Sequence, residues 1–133
     1  MKRLVLLASG ALLLAGTAGA ADTLPKGNPA AGEKIFARCM ACHAIGPGAT
    51  ARMGPPLNGV VGRPAGSVTG FNYSPAMRAS HMVWTPPALS TFLTAPMKVV
   101  PGTRMVFAGL PNAQDRADVI AYLGQYQANG AKK

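Results

Sequence analysis

Apolar positions fall into two regimes along this chain. Residues 4–14 form a dense apolar run behind Lys2 and Arg3, and Ala18, Gly19 and Ala20 follow as a small-residue cleavage pattern. Beyond them, apolar residues come in short groups at helical spacing, separated by proline- and glycine-rich stretches with no period. The first run is 11 residues long, short of the roughly 17–25 that a spanning helix wants. It reads as an export signal cleaved after Ala20, which leaves residues 21–133 as one domain in the periplasm. The rival reading is an uncleaved anchor.

Cap residues followed by proline mark the helix starts. Asn28-Pro29, Ser74-Pro75 and Thr85-Pro86 each pair a side-chain acceptor with a residue whose missing N–H is no loss in the first turn. The pattern predicts helices over residues 29–43, with Ile35, Phe36, Cys39 and Cys42 on one inward face, and over about 74–79. A third runs from Thr85 through Leu89, Phe92 and Leu93 and ends before Pro96. A last helix starts near Asn112, carries Val119, Ile120, Tyr122, Leu123 and Tyr126 on one face, and frays by Gly130. The fold class is therefore all-α. Residues 43–73 are left as a long irregular stretch, and such a loop needs a functional reason.

Composition sharpens that need. All 12 prolines lie beyond residue 20, and large apolar residues are few. A domain of about this size buries only about two-thirds of its unfolded surface, so a large apolar ligand is expected to fill the middle. Removing Lys2 and Arg3 leaves 11 basic residues against four acids, Asp22, Glu33, Asp115 and Asp118, a formal charge of 11 − 4 = +7. Such a surface favours acidic partners. The basic residues are scattered singly with few aromatics between them, which argues against nucleic acid.

The only two cysteines and one of two histidines stand together in "CMACH", Cys39 to His43. A thiol-redox Cys-x-x-Cys belongs at a helix N-terminus in a βαβ setting, and here it ends a predicted helix. A structural zinc site would need four ligands, and His81 stands alone. The remaining reading is a covalently bound haem: two thiols one turn apart tether the ring edge, and His43 is the axial ligand on the proximal side of the iron. For the other face the candidates are Met53, Met77, Met82, Met97, Met105 and His81. Met105 is preferred, because Pro101-Gly102 forces a turn before it and the Thr103 hydroxyl can tie the loop down. Met97 ranks second and His81 third.

Those residues identify a family resemblance. From Gly32 to about Tyr126 the chain resembles the class I c-type cytochromes, the small soluble cytochromes c of mitochondrial type and their bacterial relatives. "GEKIFARCMACH" looks like their first helix and haem attachment, "GPPLNGVVGR" like the following loop, "PGTRMVFAG" like the axial-methionine loop and "RADVIAYL" like the last helix. The resemblance implies the small cytochrome c fold, with N- and C-terminal helices crossing and long loops wrapped around one haem c held through Cys39 and Cys42. It implies that Gly32 and Phe36 pack against Val119 and Tyr122, and that His43 and Met105 bind iron. Pro55 would back His43, and Tyr73, Trp84 and Arg63 would hold a propionate. These three also make chemical sense as donors, since a buried carboxylate needs hydrogen bonds.

Two positions depart from the family pattern: Phe92 where a tyrosine is usual and Met77 where an asparagine is usual. Arg38, Arg52, Lys98 and Arg104 match positions near the exposed haem edge, whereas the usual lysines after "FAG" are replaced by Leu110, Pro111, Asn112 and Ala113. The expected function is a soluble, monomeric one-haem carrier shuttling electrons between redox proteins such as a quinol–cytochrome c reductase, a terminal oxidase, a reaction centre or a dehydrogenase. Membrane surfaces would be met only transiently. Two alternatives stand beside it: an open-site haem enzyme or gas sensor, and a cytochrome subunit held permanently by a dehydrogenase or oxidase.

Overall fold

The computed structural model describes residues 23–133. The apolar run and the expected cleavage after Ala20 lie outside them. Among the described residues no helix is long and apolar enough to cross a membrane.

Among the described residues five helices form, each opened by proline or by an asparagine cap. Helix α1 spans Pro29–Phe36, and Asn28 Oδ1 accepts from the N–H groups of Ala30 and Ala31. Helix α2 spans Pro75–Ala79 with Ser74 Oγ accepting from Met77 N–H at 3.0 Å. Helix α3, Pro86–Thr94, is capped by Thr85, and α5, Ala113–Leu123, by Asn112. In each case the side-chain oxygen satisfies an N–H that has no partner within the helix. Helix α4, Pro96–Val99, was not anticipated. Its N-cap Ala95 makes no side-chain hydrogen bond, so Pro96 reads only as the end of α3, although it also opens the next turn.

Two boundaries need correction. The first helix ends at Phe36 rather than at residue 43. Arg38 and Cys39 N–H bond three residues back, to Ile35 O at 3.0 Å and Phe36 O at 2.8 Å, and bonds of that span tighten the chain out of the α form. The last helix ends at Leu123, so Tyr126 lies beyond it. It stays buried all the same, its ring centroid 5.5 Å from that of Tyr122 and its hydroxyl 3.2 Å from the Tyr122 hydroxyl. The chain does not fray by Gly130 but folds back. Tyr126 makes an antiparallel bridge with Lys132.

Helices α1 and α5 cross closely because Gly32 has no side chain. A Cβ there would overlap the Asp118 carbonyl and lie 2.9 Å from Tyr122 Cβ. Phe36 and Tyr122 rings meet one turn on, centroids 5.4 Å apart. Buried Asp118 joins the crossing, accepting from Asn28 N–H at 2.7 Å and Gln114 Nε2 at 2.8 Å. The core continues through Leu89, Phe92, Leu93, Leu110, Val119 and Leu123.

Candidate functional site

The Cys-x-x-Cys-His segment sits in consecutive turns. Cys42 N–H and His43 N–H both return to Cys39 O, at 3.1 and 2.9 Å. Both cysteines are half-buried, and Cys39 packs against the core. Burial first, and then the neighbouring Cys42, pushes the Cys39 thiol up to about 11, with Arg38 pulling the other way.

His43 is oriented by the loop that follows it. Its Nδ1 lies 2.7 Å from Pro55 O. A carbonyl oxygen only accepts, so Nδ1 carries the hydrogen and the lone pair is on Nε2. Burial, with a smaller contribution from the positive Arg63, lowers the imidazole's affinity for a second proton, while the bond to Pro55 opposes this. The loop is stitched to the turn, with Gly54 N–H on Cys42 O and Leu57 N–H on Ala44 O, each at 2.9 Å. Gly54 is a functional residue that reading the sequence missed. A Cβ on it would come within 2.7 Å of His43 Nδ1, so only glycine leaves the ring its place. The "GPP" string contains it, but the contact is tertiary and has no local signal.

Two of the expected donors are paired through their backbone. Gly62 N–H bonds Trp84 O and Trp84 N–H bonds Arg63 O, both at 2.9 Å, beside a Pro64–Val83 bridge. That pairing holds Arg63 and Trp84 together. Tyr73 and Trp84 are buried, and Tyr73 Oη accepts from Val68 N–H at 3.2 Å. Arg63 directs its terminal nitrogens to Pro56 O and to Asn58 O, the latter at 2.9 Å. Among the described residues its Nε is the buried side-chain nitrogen left without a partner. A buried cationic N–H without an acceptor is what a carboxylate would satisfy.

Met105 is half-buried and packs against the core, and its N–H is 3.2 Å from Thr103 Oγ1. The loop's ends are fixed by Thr103 N–H on Val100 O at 3.0 Å and Leu110 N–H on Leu93 O at 2.7 Å. Of the rival positions Met82 is, like Met105, half-buried against the core, and the others lie differently. Met97 and Met53 are 50% and 84% exposed. His81 is exposed in a turn with φ of 51°, and no cluster of three His, Cys, Asp or Glu residues forms among the described residues. Met77 is buried beneath its own helix, and Phe92 packs on Trp84 at 4.8 Å between centroids.

The residues present thus fit a haem with a pendant carboxylate. Two thiols stand on one turn, an imidazole has its Nε2 lone pair free of the backbone bond, and a guanidinium has an unmatched N–H.

Comparison with known proteins identifies the family. The family model described as Cytochrome c matches residues 29–127. The cytochrome c2 of Rhodoblastus acidophilus is 51% identical over 106 residues, covering 80% of this chain and 99% of that protein. The structure of cytochrome c2 from Rhodospirillum centenum superposes with a TM-score of 0.73 at 40% identity, over 76% of this chain and 99% of that one. Cytochrome cH from Methylobacterium extorquens gives a TM-score of 0.69 at 43% identity, over 74% and 98% of the two chains. Because that family model spans residues 29–127 and relatives this similar are covered over nearly their whole length, this chain belongs to the cytochrome c family.

Proposed function

We propose that this protein is a periplasmic electron carrier, not an enzyme, in which His43 and Met105 are the axial ligands of a haem c held through Cys39 and Cys42. The observation that carries the reading is the Nδ1–H of His43 held on Pro55 O, directly after the cysteine pair. It fixes the tautomer and raises the basicity of Nε2. Bound there, haem c supplies a one-electron couple at its iron.

The chain's own part is to hold and to shield. Pro55 orients the imidazole, Thr103 anchors the methionine loop, and Arg63, Tyr73 and Trp84 receive the propionate. Electron transfer to a redox partner makes and breaks no bond, so a rigid donor set serves it. Acidic surfaces of a reductase, oxidase, reaction centre or dehydrogenase are the proposed docking partners of a monomer. Residues 1–20 are the export signal, and residues 21–133 the single haem-binding domain. Mass determination of the mature N-terminus checks this, with Ala21 expected first.

The decisive experiment is the optical spectrum of the exported protein, oxidised and then reduced, with carbon monoxide added last. A weak far-red band when oxidised, indifference to carbon monoxide when reduced, and loss of that band in Met105→Ala are expected. A carbon monoxide complex in the unaltered protein would instead make this an open-site haem protein.

A further inference from the structure

The segment after α5 is bonded to itself and to the loop that carries Pro55. Gln127 N–H bonds Ala131 O at 2.9 Å, Gly130 N–H bonds Gln127 O at 2.9 Å and Lys133 N–H bonds Gln125 O at 2.8 Å. Lys132 Nζ lies 5.5 Å from the centre of the Tyr126 ring. A hairpin this small is marginal by itself, so contacts to the rest of the chain must hold it.

Apart from the Tyr126 ring and hydroxyl on Tyr122 of α5, those contacts fall on one loop. Tyr126 O accepts from Gly59 N–H at 3.2 Å. Gly59 packs on Ala128, a Cβ there lying 2.9 Å from Ala128 Cα. Gly130, with φ of 82°, is buried against Gly46 and Asn58. A Cβ on it would overlap the Gly46 carbonyl and come 2.8 Å from Asn58 Nδ2. Asn58 grips Gly46 with both ends of its amide, Oδ1 accepting from N–H at 2.8 Å and Nδ2 donating to the carbonyl at 2.9 Å. Its own carbonyl accepts from Arg63. Three residues upstream is Pro55, whose carbonyl holds His43.

We propose that residues 125–133 are a clamp on this loop, with Asn58 and Gly130 as positioning residues that keep the Pro55 carbonyl on His43 Nδ1. The loop is built of glycine, proline and short side chains, and segments with few buried apolar contacts open locally at low cost unless tied. The tail supplies ties at Gly46, Asn58 and Gly59, on both sides of Pro55. Its function is to suppress opening behind the proximal ligand. The inference rests on the reading of His43 as that ligand.

Hydrogen exchange on the haem-loaded protein tests it, using a chain ended at Gln127 and, as a milder change, Gly130→Ala. Three probes are followed: His43 Nδ1–H, Leu57 N–H on Ala44 O, and Leu89 N–H on Thr85 O in α3. The first two should exchange at least about tenfold faster in both variants while Leu89 is unchanged, the pattern of local rather than global opening. Unchanged rates in both variants would overturn the clamp. So would a rise of all three probes together, which would make the tail a general stabiliser. The ligand reading is judged apart: if the unaltered protein lacks a low-spin spectrum that reading fails, whereas equal exchange rates with the spectrum intact defeat only the clamp.

Discussion

Single residues in this protein act through what they exclude. Gly54 excludes a Cβ from the His43 ring and Gly32 excludes one from the Asp118 carbonyl. Tyr122 shows the same logic in its ionisation. Burial first, and then its bond to Tyr126 and the nearby negative Glu33, raises its phenol well above the ordinary value of 10.0. Below that value the folded and unfolded chains both keep the proton, and the full contribution is present. As pH rises above it, the unfolded chain ionises while the folded chain does not, so the unfolded state binds fewer protons and stability falls with pH. Tyr122→Phe removes this ionisation. Urea midpoints measured from about pH 8 to 11 should therefore decline less steeply in the variant than in the unaltered protein, whatever the lost Tyr126 bond costs at the lower end. Parallel slopes would show that Tyr122 does not govern the alkaline loss.

At the scale of elements, legibility in the sequence followed the range of the interaction. Asn28, Ser74, Thr85 and Asn112 act within three residues of themselves, and all four helix starts were readable from cap chemistry. Helix α4 was not, since Ala95 offers no cap and Pro96 looks like a terminator. Periodicity overran the end of α1 because Cys39 and Cys42 keep helical spacing while their backbone has passed into tighter turns. The fold-back of the last residues was missed for another reason. Gly130 is a common helix terminator, and its fit against Gly46 is visible only in three dimensions. The resemblance to the family placed Gly32 at the crossing of α1 and α5, and the structure gives its physical reason. Gly32→Ala must push backbone from backbone there, since the obstacle is the Asp118 carbonyl rather than a movable side chain. A loss of about 3 kcal/mol is expected, read as a lower urea midpoint at unchanged slope. A neutral substitution would mean that the helices are not held at this distance.

At the scale of the molecule, charge decides how the protein meets others. With residues 1–20 removed the formal balance is +7, from 11 basic and four acidic residues. Asp118 is buried under α1, so among the described residues the outer surface shows only Glu33 and Asp115 as acids. Two of the arginines expected near the haem edge are already held in place. Arg52 Nη1 donates to Met40 O at 2.8 Å and Arg104 Nη1 to Asn72 O at 3.0 Å. A side chain ordered beforehand loses less entropy on docking. Exposed apolar residues accompany these cations along the chain: Met40, Met53, Met97 and Val106 are all at least half-exposed, and Lys98, next to Met97, is exposed as well. Long-range attraction comes from the positive surface, and short-range contact has an apolar component that salt does not screen. The electron-transfer rate with an acidic partner should fall as ionic strength rises, because the attraction of unlike charges is screened. The fall should be shallow, and shallower still in Arg38→Gln with Arg52→Gln, while the reduction potential changes little. Rates followed by stopped flow from about 10 mM to 500 mM salt would show it, a span over which the screening length shrinks from about 30 Å to a few Å. A rate indifferent to salt in the unaltered protein would reduce the positive surface to an aid to solubility and leave the apolar residues as the docking face.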